Sequence, residues 1–110
     1  MSEKPAISGN GEWLRRRDMW MRYVINSDIG EWPRIVGVSL ALRMTAAQPY
    51  CWPGQALISK EVGCARATVN RAVGQLVDKG LLIRTNRKMG NDAGKDSRQY
   101  TYTIRLPHEF

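Results

Sequence analysis

The chain has 110 residues, of which 43% are hydrophobic and 25% are charged, so it is long enough for one compact core and too short for two ordinary domains. No stretch approaches the roughly 18 uninterrupted apolar residues of a membrane span, and the polar N-terminus lacks the apolar core of a signal peptide, so we expect a cytoplasmic protein. The net charge of +7 favours a polyanionic partner, with a merely solvated basic surface as the alternative.

The chain begins with two segments of different character. Residues 1–11 are rich in polar and turn-forming residues and predict a flexible tail. Over about residues 12–26 apolar side chains recur at helical spacing, which predicts an amphipathic helix. Turn formers at positions 27–30 then end it, so we treat residues 12–30 as one N-terminal helical unit.

Three further helices are predicted in the middle of the chain. A proline suited to a first turn precedes residues 34–44, which are apolar on nearly every side and belong in the centre of the core. A short helix follows from about Gln55 to Val62, with Gly63 as its left-handed cap. Apolar residues at steps of three and four then predict a helix over Ala65–Lys79, which the next glycine ends.

The last part of the chain predicts a β-hairpin. Leu81–Lys88 indicates one strand, and the strict alternation of apolar and polar residues over 99–106 indicates a second, half-buried strand. Residues 89–97 between them are polar and contain two glycines, which is typical of a long flexible tip. The predicted fold class is therefore mainly α with a small β-hairpin, an α+β fold.

Few residues could carry catalytic or metal chemistry. Cys51, Cys64 and His108 cannot fill a four-ligand zinc site without carboxylates, and intracellular thiols usually stay reduced. We therefore expect both cysteines to be small buried apolar groups and expect no metal. The sequence has no Gly-rich phosphate loop, no His paired with a nucleophile and no cluster of acids, so it predicts neither an enzyme nor a cofactor.

The positive charge is concentrated towards the C-terminus. Residues 66–105 hold nine Lys or Arg against three acidic residues, a net charge of +6 and almost the whole excess of the chain. A localised basic region favours nucleic acid as the polyanion.

The stretch ISKEVGCARATVNRAVGQLVDKGLL, residues 58–82, resembles the winged helix-turn-helix units of bacterial regulators of the GntR and MarR type and of plasmid, phage and integrative-element proteins. The resemblance covers about residues 33–106. It implies a winged helix-turn-helix DNA-binding domain over residues 31–110, with Gln55–Val62 as the supporting helix, Ala65–Lys79 as the recognition helix and residues 83–105 as the wing. The chain departs from the family at Ala65, where a Ser or Thr cap is usual.

The resemblance also implies which residues contact DNA. The exposed side of the recognition helix would enter the major groove, where arginine can pair with guanine, asparagine with adenine, and a methyl group with thymine. The wing cations would lie on the phosphates or in the minor groove; simple solvation is the alternative for both sets. The helix residues are Arg66, Ala67, Thr68, Asn70 and Arg71, and the wing residues are Arg87, Lys88, Lys95 and Arg98.

The N-terminal helix lies outside the minimal winged unit. An extra apolar helix on such a module commonly serves self-association, so we expect a homodimer, the alternative being that the helix folds back onto its own core. The expected contacts are Trp13, Leu14, Trp20, Met21 and Val24.

These observations predict a protein that binds double-stranded DNA at specific sequences and is associated with the nucleoid when bound. The first expectation is a transcriptional regulator of phage, plasmid or mobile-element type, with no small-molecule ligand. A DNA-binding factor in replication, partition or recombination, and a winged helix used for protein contact alone, are the alternatives.

Overall fold

The computed structural model describes residues 4–87 and 99–107, and their side chains over residues 11–86 and 100–107. Within these residues the fold consists of four helices followed by two antiparallel strands, which confirms the predicted α+β class and is compatible with a winged helix-turn-helix. The elements are α1 (Lys4–Asn26), α2 (Glu31–Ala41), α3 (Gln55–Val62), α4 (Arg66–Asp78), β1 (Leu82–Arg87) and β2 (Gln99–Ile104).

The first helix is longer than predicted. It begins at Lys4, whereas the sequence placed its start near residue 12. Pro5 lies in the first turn, where its missing N–H is not needed, and the glycines at positions 9 and 11 reduce helix propensity by only about 1 kcal/mol each. Turn-forming composition was therefore a poor guide to this helix boundary, and the flexibility expected of residues 1–11 stays a prediction.

The core lies around α2, as its apolar sequence predicted. Helix α2 contacts α1, α3 and α4, and its Pro33 is buried in the first turn. Each of the other elements contributes at least one completely or almost completely buried side chain to this core, including Leu82 of β1. The main ones are Trp20 and Val24 of α1, Val36 and Leu40 of α2, Ile58 of α3, Val69, Val73 and Leu76 of α4, and Tyr102 and Ile104 of β2.

A glycine allows three helices to meet in this core. A β-carbon at Gly37 of α2 would lie 3.2 Å from the Trp20 side chain and 3.4 Å from that of Leu76. The first distance is tighter than ordinary van der Waals contact and the second is at its lower limit, so a β-carbon at this position would require the Trp20 side chain to shift by a few tenths of an ångström. The sequence pattern predicted an apolar helix here but not this close approach.

The hairpin is joined to the segment that precedes α3. Strands β1 and β2 pair in a continuous register from Leu82↔Ile104 to Arg87↔Gln99. Cys51 adds a further bridge, because its N–H donates to the carbonyl of Tyr102 at 3.1 Å and its carbonyl accepts from the Tyr102 N–H at 2.8 Å. The chain entering α3 is thereby fixed to β2.

The two cysteines have different environments. Cys51 is buried as predicted, and burial raises the pKa of its thiol to about 11. Cys64 is only half-buried and packs against the edge of the core, so the prediction of a buried group is wrong for it. It lies in the short turn before α4, where the chain runs along the surface. His108 lies outside the described residues.

Candidate nucleic-acid interface

The turn between α3 and α4 is fixed by backbone geometry and one side chain. Gly63 adopts φ 81°, a left-handed conformation that glycine takes without strain, as predicted for this position. The N–H groups of Gly63 and Cys64 both donate to the Ser59 carbonyl, at 2.9 and 3.1 Å, and the Ser59 hydroxyl donates to the carbonyl of Cys64. The turn is therefore short and closed by hydrogen bonds.

Helix α4 begins without a side-chain cap. Ala65 has the extended conformation of an N-cap residue, with φ −71° and ψ 154°, but its methyl group cannot accept a hydrogen bond. The first N–H groups of α4 are therefore without the side-chain acceptor that a Ser or Thr would supply. The absence of the usual Ser or Thr cap, predicted from the sequence at Ala65, is confirmed. The positive end of the helix dipole is therefore not capped by a side chain.

One side of α4 is buried and the other is open to solvent. Val69, Ala72, Val73 and Leu76 are buried in the core, as the periodicity predicted. On the opposite side the predicted contact residues lie together near the start of the helix, all of them exposed except Thr68, which is half-buried. We call this surface the α4 face; it consists of Arg66, Ala67, Thr68, Asn70 and Arg71. It is polar, carries two arginines and is free to approach a ligand.

A residue from α3 adjoins the α4 face. The side-chain amide of Gln55, the first residue of α3, donates to Oδ1 of Asn70 at 3.1 Å. Sequence reasoning assigned no role to Gln55, because no periodicity or local spacing links the start of one helix to the middle of the next. Only the packed arrangement of α3 on α4 reveals the contact.

A polar network joins α3 to α2. Oε1 of Glu61 accepts hydrogen bonds from the Ser39 hydroxyl at 2.5 Å and from Nη1 of Arg43 at 2.8 Å. These two hydrogen bonds, that of Ser39 first, hold the pKa of Glu61 below its ordinary value of 4.5. Arg43 also donates to the Ser39 carbonyl at 3.0 Å, so the network closes on itself.

The wing residues are almost all outside the described part of the chain. Arg87 ends β1, but its side chain is not described, and Lys88, Lys95 and Arg98 lie outside the described residues. Their role stays a prediction. Within the described hairpin, the guanidinium of Arg84 lies 4.8 Å from the centre of the Tyr100 ring, a cation–π contact that holds this arginine along the sheet.

The predicted dimer contacts of α1 divide into two groups. Trp20 and Val24 are completely buried in the core of their own chain, and Nε1 of Trp20 donates to the Leu81 carbonyl at 2.8 Å. A second copy could not reach these two side chains without displacing the core, so their assignment to an interface is wrong. Of the others, Trp13 and Met21 are half-buried and Leu14 is exposed.

The described part of the chain contains neither a cluster of metal-ligating side chains nor a membrane-spanning helix. No group of three or more His, Cys, Asp or Glu side chains is placed to hold a metal ion in that part of the chain. Among the helices described above, none combines the length and apolar character that crossing a membrane requires.

These features define a helix-turn-helix unit, with α3 as supporting helix and α4 as the helix that presents a polar face. Residues 35–82 match the family described as a helix-turn-helix domain. Comparison with curated proteins found no match. Among solved structures, the chain is similar to a protein from Methanosarcina mazei Go1 described as a "possible transcriptional regulator", with 22% identity and a TM-score of 0.53 over 84% of this chain and 68% of that one. This likeness concerns the fold.

Proposed function

We propose that the protein binds a specific site on double-stranded DNA, with the α4 face in the major groove, and that it acts as a transcriptional regulator. The observation that carries this proposal is the α4 face itself. Five residues suited to base contact are grouped at the start of a helix whose opposite side is buried, as major-groove recognition requires.

Three further observations support DNA as the partner. The chain carries +7, most of it after residue 65. The family matched by residues 35–82 is a helix-turn-helix family, and such units commonly place their second helix in the major groove. The similar structure from Methanosarcina mazei is described as a possible transcriptional regulator, which extends the proposal from binding to regulation. The sequence resemblance further supports the proposal that this regulator is of phage, plasmid or mobile-element type.

We assign two kinds of contact to the two parts of the surface. Arg66, Asn70 and Arg71 would recognise base edges, because their side chains carry hydrogen-bond donors suited to purines. Arg87, Lys88, Lys95 and Arg98 would contact phosphates without regard to sequence. Base contacts and phosphate contacts respond differently to mutation, which makes the division testable.

The experiment compares Arg71→Ala with Lys95→Ala on a selected DNA site and on random duplexes, at salt concentrations between about 50 and 200 mM. Wild-type affinity should fall about a hundredfold over this range if four phosphates are contacted. Arg71→Ala should cost about 1–3 kcal/mol on the selected site and relax base preference at one position, whereas Lys95→Ala should weaken all duplexes equally and reduce the salt dependence.

Arg22→Ala is the matched control, since Arg22 is an exposed arginine on α1. Its loss should change neither base preference nor the affinity ratio between the two kinds of DNA. Affinity that does not respond to salt would reject DNA binding and favour the use of the winged helix for protein contact.

We also propose a homodimer through α1, with fewer contact residues than the sequence predicted. Trp20 and Val24 are excluded from it, which leaves Trp13, Leu14 and Met21. Light scattering of the whole chain tests this directly. A monomer at tens of micromolar would reject the dimer, and a palindromic site among selected DNA sequences would support it.

A further inference from the structure

Asn70 is the member of the α4 face whose chemistry depends on its orientation. Its carboxamide has an oxygen that only accepts hydrogen bonds and a nitrogen that only donates them. A rotation of half a turn about the Cβ–Cγ bond exchanges the positions of the oxygen and the nitrogen. Which end faces the DNA therefore decides whether Asn70 can recognise an acceptor or a donor on a base.

Gln55 fixes this orientation. Its Nε2 donates to Oδ1 of Asn70 at 3.1 Å, so the oxygen of Asn70 is turned towards α3. The nitrogen of Asn70 is then turned away from Gln55, and both of its hydrogens remain available on an exposed side chain. The contact crosses from one helix of the unit to the other, so it is set by the packing of α3 on α4.

Gln55 is itself held from the core side. Its side chain is half-buried and lies beside that of Tyr102, a buried residue of β2 whose pKa is raised by burial and lowered in small part by Gln55. The backbone of Tyr102 is in turn bonded to Cys51, which precedes α3. The carboxamide of Gln55 thus lies between a rigid part of the hairpin and Asn70, as expected for a group that positions another.

We propose that Gln55 is a positioning residue for base selection: it holds Asn70 with its amide nitrogen towards the bases, so that Asn70 selects a base that offers a hydrogen-bond acceptor. This proposal rests on the DNA binding proposed above. In the major groove guanine offers N7 and O6 as acceptors, thymine offers O4, and adenine offers both an acceptor at N7 and a donor at N6, whereas cytosine offers only the N4 amino group. Cytosine is therefore selected against at the base that Asn70 contacts.

The decisive variant is Gln55→Glu. A carboxylate cannot donate, so it would accept from Nδ2 of Asn70 and turn the carboxamide around, presenting the oxygen to the bases. At one position of the site, preference should move from guanine or thymine towards cytosine by about fivefold, a value at the low end for a base contact. The measurement is selection from a random duplex pool, followed by competition binding with sites that differ at that position.

Ala56→Glu is the matched control for charge. Ala56 is exposed and follows Gln55 in the first turn of α3. The control therefore adds the same negative charge and leaves the hydrogen bond between Gln55 and Asn70 in place. It should weaken all sites alike and leave the preferred sequence unchanged. If Ala56→Glu produced the same shift towards cytosine, charge alone would explain the result and the proposal would be overturned.

Asn70→Ala provides the second test. In that background Gln55→Glu and Gln55→Ala should have no effect on base preference, because the residue they act through is absent. In the presence of Asn70, Gln55→Ala should reduce discrimination at the same position by about fivefold, and this variant removes a side chain without adding charge. An unchanged preference in Gln55→Ala, with wild-type protein that selects a clear site, overturns this inference alone. Wild-type protein that selects no site overturns the proposed sequence-specific binding instead.

Discussion

Helices α1 and α3 are attached to the same core by different chemistry. Helix α1 contributes two completely buried side chains, Trp20 and Val24, and the polar atom of Trp20 is satisfied by a backbone carbonyl. Helix α3 contributes one buried side chain, Ile58, and its second half is tied to α2 through the charged group of Glu61.

This difference separates stabilisation from recognition. The helix outside the helix-turn-helix pair supplies large apolar contacts, which involve no titratable group. The pair itself keeps most of its surface polar, and polar contacts place both Gln55 and Glu61. Helix α4 combines a buried apolar side with an exposed polar face, and both helices of the pair pack against α2.

The largest effect should come from Trp20→Ala. The change removes the largest completely buried side chain and leaves a cavity between α1 and α2, so the free energy of unfolding should fall by about 3–5 kcal/mol. The Leu81 carbonyl would keep its bond from the Arg105 N–H, at 2.9 Å, so the loss is one of packing more than of hydrogen bonding. Denaturant unfolding measures the change.

Tyr23→Ala is the control for Trp20, since Tyr23 is an aromatic residue of the same helix with 48% of its surface exposed. It should change stability by no more than about 0.5 kcal/mol. If Trp20→Ala altered self-association while leaving unfolding unchanged, α1 would be an interface helix, and the contrast between α1 and α3 would be wrong.

A smaller effect of opposite sign is expected at the start of α4. Ala65→Ser places a hydroxyl where the backbone is already in the N-cap conformation, so it should raise the free energy of unfolding by about 1 kcal/mol. Ala67→Ser is the control, because residue 67 is exposed but lies inside the first turn, where a hydroxyl cannot cap. Equal changes in thermal stability for the two variants would show that capping is not what α4 lacks.

The same contrast explains how much the sequence could predict. The bounds of α3 were predicted correctly and those of α4 to within one residue at each end, because apolar periodicity and a glycine cap are local signals. The sequence could not show whether the apolar face of α1 packs on its own core or on a second copy of the chain. Both uses require the same pattern of apolar residues. The Gln55–Asn70 contact and the close approach at Gly37 depend on how helices cross, which no local pattern records.

The smallest effect should be a pH dependence that belongs to α3 and not to α1. Because the folded state lowers the pKa of Glu61, its hydrogen bonds contribute stability at pH values above 4.5, and this contribution is lost as the pH falls through the lower, folded-state pKa. Unfolding measured across this range should therefore show a weaker loss of stability towards acid pH in Glu61→Gln than in the wild type. Ser39→Ala and Arg43→Ala should each weaken the dependence, because the hydrogen bond from Ser39 is the first cause of the lowered pKa of Glu61 and Arg43 adds both a hydrogen bond and its charge. Glu12→Gln is the control, because Glu12 is an exposed acidic residue on α1, and it should keep the pH dependence of unfolding seen in the wild type. If it changed that dependence as much as Glu61→Gln, the response to acid would come from the surface charge as a whole and not from the attachment of α3.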